Sequence, residues 1–348
     1  MAQFDYESIL AKLMVPEVVS ALGDIRELKG KTASFSETSP EVFAALVEVA
    51  KIQSTSASNR IENISTSDRR LRELMLDKVE PRNRDEREIT GYRYVLDMVH
   101  ESHDDIPATP SVILQLHRDL YRFTDDSFAG RWKDSDNVIA ERTDDGKMVA
   151  RFVPTSAVET PSAVEQICSE YAVQIKASTY DPLLVSLIFV FDFVSIHPFN
   201  DGNGRMSRLL TLLLMYRSGY DVGKYVSIEK EIERTKETYY EALAASSNGW
   251  REGKNDYVPF VTYMLGVVTA CYKELNDRFF IVAVPSGNEE SVRAFFDKLI
   301  GTATKREIMD ANPGMSRRTL ERILSKLQTE GIVEKVGAAR STAYKAAR

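Results

Sequence analysis

Two strongly apolar segments near the middle of the chain flank a short polar stretch. Leu183–Ile196 is almost wholly apolar and predicts a buried helix, and Leu209–Tyr216 predicts the core of a second one. Between them, residues 197–208 read His-Pro-Phe-Asn-Asp-Gly-Asn-Gly-Arg-Met-Ser-Arg. Proline and the Asp-Gly-Asn-Gly run interrupt a helix, so this stretch is predicted to join the two buried helices, the second beginning near Arg205. The chain is therefore expected to contain a buried helical pair with a polar loop at one end.

The composition of this loop is typical of a phosphate site. Gly202 and Gly204 can adopt positive φ angles and leave backbone N–H groups pointing outward at the N-terminus of the following helix, which favours an anion. Arg205 and Arg208 are three residues apart and are expected on one helix face, where two guanidinium groups can contact phosphates. Asp201 offers the hard oxygen that Mg²⁺ prefers beside phosphates.

His197 stands at the mouth of the loop and is the candidate base. An unperturbed histidine titrates near neutrality and is suited to taking a proton from a hydroxyl nucleophile. The structural alternative is a helix-turn-helix corner in which His197 is a satisfied core histidine. Two arginines and a carboxylate around two glycines have no use in such a corner, which favours the chemical interpretation.

The loop resembles the signature of the Fic (filamentation induced by cAMP) family, His-x-Phe-x-Asp/Glu-Gly-Asn-Gly-Arg-x-x-Arg. Every fixed position is matched, by His197, Phe199, Asp201, Gly202, Asn203, Gly204, Arg205 and Arg208. The resemblance implies a protein adenylyltransferase with ATP as substrate and Mg²⁺ as cofactor, which moves AMP to a Ser, Thr or Tyr hydroxyl of a protein, including itself, and releases pyrophosphate. The phosphotransferase branch of the family has Lys in place of Gly204 and usually lacks the final Arg, so AMP transfer is expected here.

The resemblance also implies a role for each polar residue of the loop. His197 is the implied general base, and Asp201 is the implied metal ligand, holding Mg²⁺ against the α- and β-phosphates. Asn203 and the loop amides are implied to cradle phosphate oxygens. Arg205 and Arg208 are implied to contact the β- and γ-phosphates.

An aromatic pair follows the second buried helix. Tyr239 and Tyr240 stand where the family commonly has aromatic residues near the adenine, and aromatic faces suit a nucleobase. Core tyrosines on a helix would show the same pattern. With this pair, the expected nucleotide-binding residues are Asn200, Asp201, Gly202, Asn203, Gly204, Arg205, Arg208, Tyr239 and Tyr240.

Residues 58–63, Ser-Asn-Arg-Ile-Glu-Asn, resemble the family's inhibitory motif, Ser/Thr-x-x-x-Glu-Gly/Asn. Ser58 and Glu62 are four apart and so are expected on one helix face. The resemblance implies autoinhibition, in which Glu62 takes the place of the γ-phosphate at Arg208, and Asn63 completes the motif. Two alternatives are an exposed carboxylate on a surface helix and an AMP-removing enzyme in which Glu62 directs water.

Residues 137–154 depart from an otherwise helical pattern. Apolar residues at Val138 and Ile139 lead through Thr-Asp-Asp-Gly at 143–146 into a second apolar run at 148–153, which predicts a β-hairpin. In the Fic family a hairpin in this place is a flap. The resemblance therefore implies that an extended segment of the target protein pairs with it by strand addition and presents its hydroxyl to the base. The alternative is an ordinary surface hairpin.

Residues 301–348 differ in charge from the rest of the chain. They hold ten Lys and Arg against five Asp and Glu, a net charge of +5, which leaves −12 for the remainder of a chain at −7. Ser316 is a predicted N-cap for a helix at Arg317–Thr329, and strands at 332–336 and 342–345 follow, a layout that resembles a winged helix-turn-helix domain. Its recognition helix would begin with Arg317, Arg318 and Arg322. The open alternatives are contact with DNA through 301–348 and a protein-interaction or dimerisation module.

The predicted fold is mainly α: a Fic-type helical core with a small β-hairpin flap, plus a C-terminal winged helix-turn-helix domain. The predicted domains are an N-terminal helical region at 1–104, a Fic core at 105–275 and the winged helix at 290–348. A linker is predicted at 285–288, because Pro-Ser-Gly-Asn has the composition of one.

Composition limits the class of protein. A hydrophobic content of 43% and a charged content of 28% are ordinary for a globular protein. No apolar run reaches the roughly 18 residues of a membrane span, so no membrane partner is expected. The start of the sequence lacks the features of a secretion signal, and Cys168 and Cys271 are expected to be reduced, buried thiols, which together suggest a cytoplasmic protein. The four histidines show no zinc-binding spacing.

Overall fold

The computed structural model of the chain describes residues 4–36, 40–142, 148–283, 288–299, 301–312, 315–337 and 342–347. The chain forms two compact units, one of Met1–Glu27 with Glu48–Cys271 and one of Leu28–Val47 with Tyr272–Arg348. Two sequence predictions lie wholly or partly outside the described residues. They are the hairpin turn at 143–146 and the linker at 285–288.

Helices dominate the described residues, as the sequence predicted. In chain order they are α1 (Tyr6–Lys12), α2 (Pro16–Ser36), α3 (Pro40–Ile61), α4 (Asp68–Met75), α5 (Arg84–Ser102), α6 (Pro110–Leu120), α7 (Thr160–Ala177), α8 (Pro182–Ile196), α9 (Asn203–Arg217), α10 (Ile228–Arg234), α11 (Lys236–Ser247), α12 (Val258–Ala283), α13 (Asn288–Lys298), α14 (Lys305–Asp310) and α15 (Arg317–Thr329). Short 3-10 turns lie at His103–Asp105, Val222–Lys224 and Trp250–Glu252.

The predicted pair of buried helices forms the centre of the first unit. Asp181 caps α8, its carboxylate accepting the Leu183 N–H at 2.9 Å, and Pro182 occupies the first turn, where its missing N–H costs nothing. Nearly every residue of α8 and α9 is buried, and α8 packs against both α7 and α9. Helix α9 begins at Asn203, two residues earlier than the sequence predicted. The loop between them, residues 197–202, is therefore short and held at both ends by rigid helices.

The predicted hairpin is also present. Strands β1 (Ile139–Arg142) and β2 (Met148–Phe152) pair antiparallel, with Arg142 opposite Met148. The register is irregular between Ile139 and Ala140. Strand β2 lies against α11, so the hairpin stands beside the helix that carries the tyrosine pair.

The second unit contains a small sheet and its own core. Strands β3 (Ala303–Thr304), β4 (Val333–Val336) and β5 (Ala343–Ala346) form an antiparallel sheet in the order β3-β5-β4. Ser316 caps α15, its hydroxyl accepting the Thr319 N–H at 3.1 Å, so both the predicted cap and the predicted helix bounds are confirmed. One face of α15 is buried in this core through Leu320, Ile323, Leu324 and Leu327.

None of the helices, over the parts of the chain that the structure describes, is both long enough and apolar enough to cross a bilayer.

Candidate active site

A cavity of about 390 Å³ in the first unit brings the separate sequence motifs together. The loop after α8, the end of α3, the hairpin and helix α11 all contribute to its wall. The predicted site residues that line it are Glu62, Ile139, His197, Asn203, Gly204, Arg208, Tyr239 and Tyr240. The predicted residues that do not line it are Ser58, Asn63, Val138, Asn200, Asp201, Gly202 and Arg205.

His197 terminates α8 in the left-handed region, with φ 52°. Its N–H donates to the Phe193 carbonyl at 3.1 Å, and the next residue, Pro198, cannot continue the helix. Burial, together with the nearby Lys133 ammonium, lowers the pKa of His197 to about 4. The ring is therefore neutral at physiological pH and is able to accept a proton.

Asn203 and His117 hold the loop through hydrogen bonds and ring stacking. The Asn203 side chain accepts the Phe199 N–H at 2.9 Å and donates to the Phe199 carbonyl at 2.8 Å. The ring of His117 stacks on Phe199 with centroids 3.7 Å apart. Its Nδ1 accepts the Gly130 N–H, so Nε2 carries the proton and donates to the Asp201 carbonyl at 3.0 Å. The Asn203 amide thus holds the loop through the Phe199 backbone, and Asn203 also lines the cavity.

Gly204 is required by close approach. A β-carbon built at this position would lie 2.0 Å from Oε1 of Glu62, so no larger residue fits while Glu62 stands there. At Gly202 the backbone has φ 79°, and an added β-carbon would lie 2.9 Å from the Tyr121 hydroxyl. A larger residue at Gly204 would therefore collide with the Glu62 carboxylate, and a larger residue at Gly202 would strain the positive-φ backbone.

Arg208 is bound by the predicted inhibitory motif. Its side chain is 3% exposed, and Nη2 lies 2.8 Å from Oε1 of Glu62. Nε donates to the Ser58 hydroxyl at 2.8 Å and Nη2 to the Ser58 carbonyl at 3.0 Å. Burial works to raise the pKa of Glu62, but attraction to Arg208 outweighs it and the net pKa is lowered. Glu62 is therefore an anion paired with a buried guanidinium.

The turn that presents Glu62 has a defined geometry. Helix α3 ends at Ile61, so Glu62 is its C-terminal cap residue rather than part of the helix face. The Asn63 N–H donates to the Arg60 carbonyl at 3.0 Å and the Ile64 N–H to the Asn59 carbonyl at 2.9 Å, the two bonds of a Schellman motif. Asn63 occupies the left-handed position, with φ 62°, which asparagine adopts more easily than most residues.

Two basic residues fasten this turn to α10 and α11. Lys236 Nζ donates to the Ile61 carbonyl at 2.8 Å. Arg60 makes two hydrogen bonds to the Glu233 carboxylate, at 2.6 and 2.8 Å. Neither contact was predicted from the sequence, because both join residues more than 170 positions apart.

Arg205 does not line the cavity, and its predicted phosphate contact stays a prediction. Its side chain is 1% exposed, with Nη1 2.7 Å from Oε2 of Glu88 and Nη2 donating to the Tyr121 hydroxyl at 2.7 Å. Arg205 and Arg208 are neighbours on α9. Arg205 pairs with a buried glutamate of α5, whereas Arg208 pairs with the inhibitory motif. The residues around Glu88 in the sequence did not indicate that it pairs with Arg205.

Asp201 remains the one predicted metal ligand. Its side chain is 52% exposed, Oδ1 accepts the Gly202 N–H at 2.7 Å, and Oδ2 lies 3.9 Å from guanidinium nitrogens of Arg84 and Arg205. Within the described residues, no group of three or more His, Cys, Asp or Glu side chains could hold a metal ion. A single accessible carboxylate fits Mg²⁺, which proteins commonly bind through one or two carboxylates together with substrate phosphates.

The tyrosine pair also lines the cavity. The rings of Tyr239 and Tyr240 lie 5.4 Å apart and are tilted, and Tyr239 is buried. Burial raises the pKa of both hydroxyls, so both are neutral. The guanidinium of Arg151, from β2, lies 5.8 Å from the Tyr240 ring. The pair thus offers neutral aromatic surface to the cavity.

Comparison with known proteins places a family domain over the central part of the chain. Residues 107–215 match the model of the Fic/DOC family. Protein adenylyltransferase fic-1 of Caenorhabditis elegans is 27% identical over 202 residues, covering 58% of this chain and 34% of that protein. Protein adenylyltransferase Fic of Aedes aegypti is 35% identical over 89 residues, covering 26% of this chain and 15% of that protein. The chain thus spans about a third or less of the length of these relatives.

Solved structures share the fold. A Fic family protein from Desulfovibrio desulfuricans G20 superposes with a TM-score of 0.64 at 21% identity, over 96% of each chain. A fragment of Fic-1 from C. elegans superposes with a TM-score of 0.56 at 23% identity, over 78% of this chain and 76% of the other. The chain therefore contains a Fic/DOC-family domain on a Fic fold, and its homologues carry the name protein adenylyltransferase.

Proposed function

We propose that the chain is a protein adenylyltransferase that moves AMP from ATP to a Ser, Thr or Tyr hydroxyl of a protein, including itself. One observation carries this proposal: His197, Arg208 and the tyrosine pair all line a single cavity. That arrangement suits a triphosphate with its purine against the aromatic rings. ATP is a substrate here, and the target is a protein that presents its hydroxyl in an extended segment.

The reaction follows from what the residues can do. The hydroxyl oxygen attacks the α-phosphorus, its proton passes to the neutral ring of His197, and the bond to the β-phosphate breaks so that pyrophosphate leaves. Backbone N–H groups at the start of α9 and the Arg208 guanidinium are placed to stabilise the charge that develops on the phosphates. Arg205 is paired with Glu88 and lies 3.9 Å from Asp201, and we propose it as a further cation beside the phosphates.

Mg²⁺ would be held by Asp201 together with the phosphates of ATP, and it would supply charge neutralisation at the reacting phosphate. The exposed Oδ2 of Asp201, at the edge of the loop, supports this assignment.

We further propose that the enzyme is autoinhibited by Glu62. The carboxylate occupies the guanidinium that the γ-phosphate would use and adds a negative charge where ATP brings its own. ATP bound beside Glu62 would have displaced phosphates, with the α-phosphorus out of line with a hydroxyl near His197. Removal of Glu62 leaves Arg208 held by its two bonds to Ser58, ready for the nucleotide.

The hairpin is proposed as the flap that positions the target. Val138 is 54% exposed at its start, and Ile139 lines the cavity. An extended target segment paired with the hairpin would bring its hydroxyl to the cavity that holds His197.

A second candidate function, an ATP-sensing regulator that binds DNA through a winged helix-turn-helix, has one observation in its favour. On α15, Arg317 is paired with Glu321 at 3.2 Å. Arg318 and Arg322 are exposed and have no ion pair among the residues that the structure describes. Two unpaired arginines on the exposed face of a helix could contact a phosphate backbone.

Isotope-labelled ATP tests the proposed reaction. The Glu62→Gly protein is incubated with a general protein substrate such as a cell lysate, using ATP labelled in either its α- or its γ-phosphate. Label retained on protein from the α-phosphate alone supports AMP transfer. Retention of the γ-label would indicate a kinase, and release of AMP from a modified protein, without transfer, would support the AMP-removing alternative.

A further inference from the structure

Lys133 is a buried cation beside the catalytic loop that the proposed reaction does not use. The residue is 3% exposed, and its Nζ donates to Oδ1 of Asn137 at 2.8 Å and to the carbonyl of Ile196 at 3.2 Å. We propose that Lys133 is a positioning residue for His197, holding the end of α8 and the start of the loop so that the imidazole meets the reacting hydroxyl. The importance of this for turnover rests on the proposed function of His197 as the base.

The first contact acts on the end of the helix. The last carbonyls of a helix lack partners within it, and a cation there satisfies one of them and complements the helix dipole. Ile196 is the last residue of α8, and its carbonyl is the one that Lys133 reaches. The next residue, His197, has a left-handed backbone, which a residue other than glycine keeps only when its surroundings fix it. Lys133 supplies part of that fixation.

Further contacts fasten the other side of His197. The backbone N–H of Lys133 donates to the Pro198 carbonyl at 2.8 Å. The Asn137 side chain, which accepts from Lys133, also donates to the Phe199 carbonyl at 3.5 Å. The segment 133–137 therefore contacts the residue before His197 and the two residues after it, so the backbone of the base is held on both sides.

The charge of Lys133 acts on the imidazole as well. Burial and Lys133 lower the pKa of His197, while a backbone contact with Val194 and the carboxylates of Glu62 and Asp201 raise it. Burial lowers the pKa of Lys133 itself to about 8, with Asp136 opposing the shift, so the ammonium is charged at neutral pH. Loss of that charge should let the pKa of His197 rise, an effect that a purely packing role for Lys133 would not produce.

The experiment uses the full-length chain with Lys133→Gln, which removes the charge, and Lys133→Arg, which keeps it. Turnover is measured in the Glu62→Gly background, and His197 is titrated by NMR in each variant, its signal assigned by loss in His197→Asn. Lys133→Gln should lower kcat by roughly 10-fold to 100-fold with KM for ATP little changed, because the base is misplaced and the nucleotide contacts remain. The pKa of His197 should rise in Lys133→Gln, and Lys133→Arg should restore both kcat and the pKa.

Unchanged kcat and an unchanged His197 titration in a folded Lys133→Gln protein would overturn the proposal. If Lys133→Gln does not fold, Asn137→Ala tests the proposal instead. This variant keeps the charge of Lys133 but removes one of its contacts, and it should lower kcat without raising the pKa of His197. Unaltered kcat in Asn137→Ala would then count against the proposal.

If no variant transfers AMP, the proposed function fails, while amide hydrogen exchange of Ile196, His197 and Phe199 still tests Lys133. Faster exchange in Lys133→Gln or, failing that, in Asn137→Ala supports the positioning role, and equal exchange refutes it.

Discussion

Substitution of Glu62 should raise AMP transfer strongly, and the structure sets the size of the effect. Nη2 of Arg208 must leave Oε1 of Glu62, 2.8 Å away, before it meets a γ-phosphate. A hydrogen bond between charged groups contributes about 1.5–3 kcal/mol, which corresponds to roughly 10-fold to 100-fold in rate if all of it opposes productive binding. Glu62 is 34% exposed, so solvent screening favours the lower part of that range.

The assay is initial-rate transfer of α-labelled AMP at saturating Mg-ATP, comparing the parent chain with Glu62→Gly. Glu62→Asp should lie between them, because the shorter side chain reaches Arg208 poorly. Glu80→Gly is the matched control: it removes the same charge from an exposed position outside the helices and should leave the rate unchanged. Arg208→Ala should lower the rate whether or not Glu62 is present. Equal rates for the parent and Glu62→Gly proteins would refute the inhibitory role and return Glu62 to a surface carboxylate.

Three further predictions follow from charge and burial. Burial lowers the pKa of His197 from 6.5 to about 4, so the unfolded state binds more protons than the folded state between those pH values. The contribution of His197 to the free energy of unfolding should therefore decline as the pH falls through this window. Urea denaturation of the parent chain and of His197→Asn measures it. Glu88→Gln removes the buried carboxylate that lies 2.7 Å from the Arg205 guanidinium and should lower the free energy of unfolding by about 3–5 kcal/mol. An unchanged urea midpoint would contradict the buried pair. If the chain binds DNA, Arg318→Ala with Arg322→Ala should abolish the mobility shift and leave AMP transfer intact, whereas Arg317→Ala, already paired with Glu321, should weaken it less.

The parts of the fold that could be predicted depend on local sequence. The loop between α8 and α9 was identifiable because proline and glycine interrupt two apolar helices. The hairpin and the capped helix α15 were identifiable because turn and capping residues sit at fixed offsets from apolar runs. In each case the residues that decide the structure lie within about ten positions of one another.

Contacts between residues far apart in the sequence could not be predicted. Glu88 lies more than 100 positions before Arg205, and only the folded chain shows the buried ion pair between them. Lys133 lies four residues before the hairpin segment 137–154. Only the folded chain shows that its ammonium is buried at the end of α8.

Several predictions are still open. A winged helix-turn-helix, a homodimer, a Mg²⁺ ion at Asp201 and the cytoplasmic location each follow from sequence patterns. The three-domain division at 1–104, 105–275 and 290–348 also stays a prediction, while the described structure divides the chain into two compact units.

The central claim is that the His197 loop performs AMP transfer, and the most direct test is a comparison of two proteins that differ at this residue alone. Transfer of α-labelled AMP is measured for Glu62→Gly and for Glu62→Gly with His197→Ala, with ATP affinity measured in parallel. The account predicts a loss of roughly 10²-fold to 10⁴-fold in rate with affinity nearly unchanged, because the substitution removes the base and no phosphate contact. Equal rates for the two proteins would contradict it.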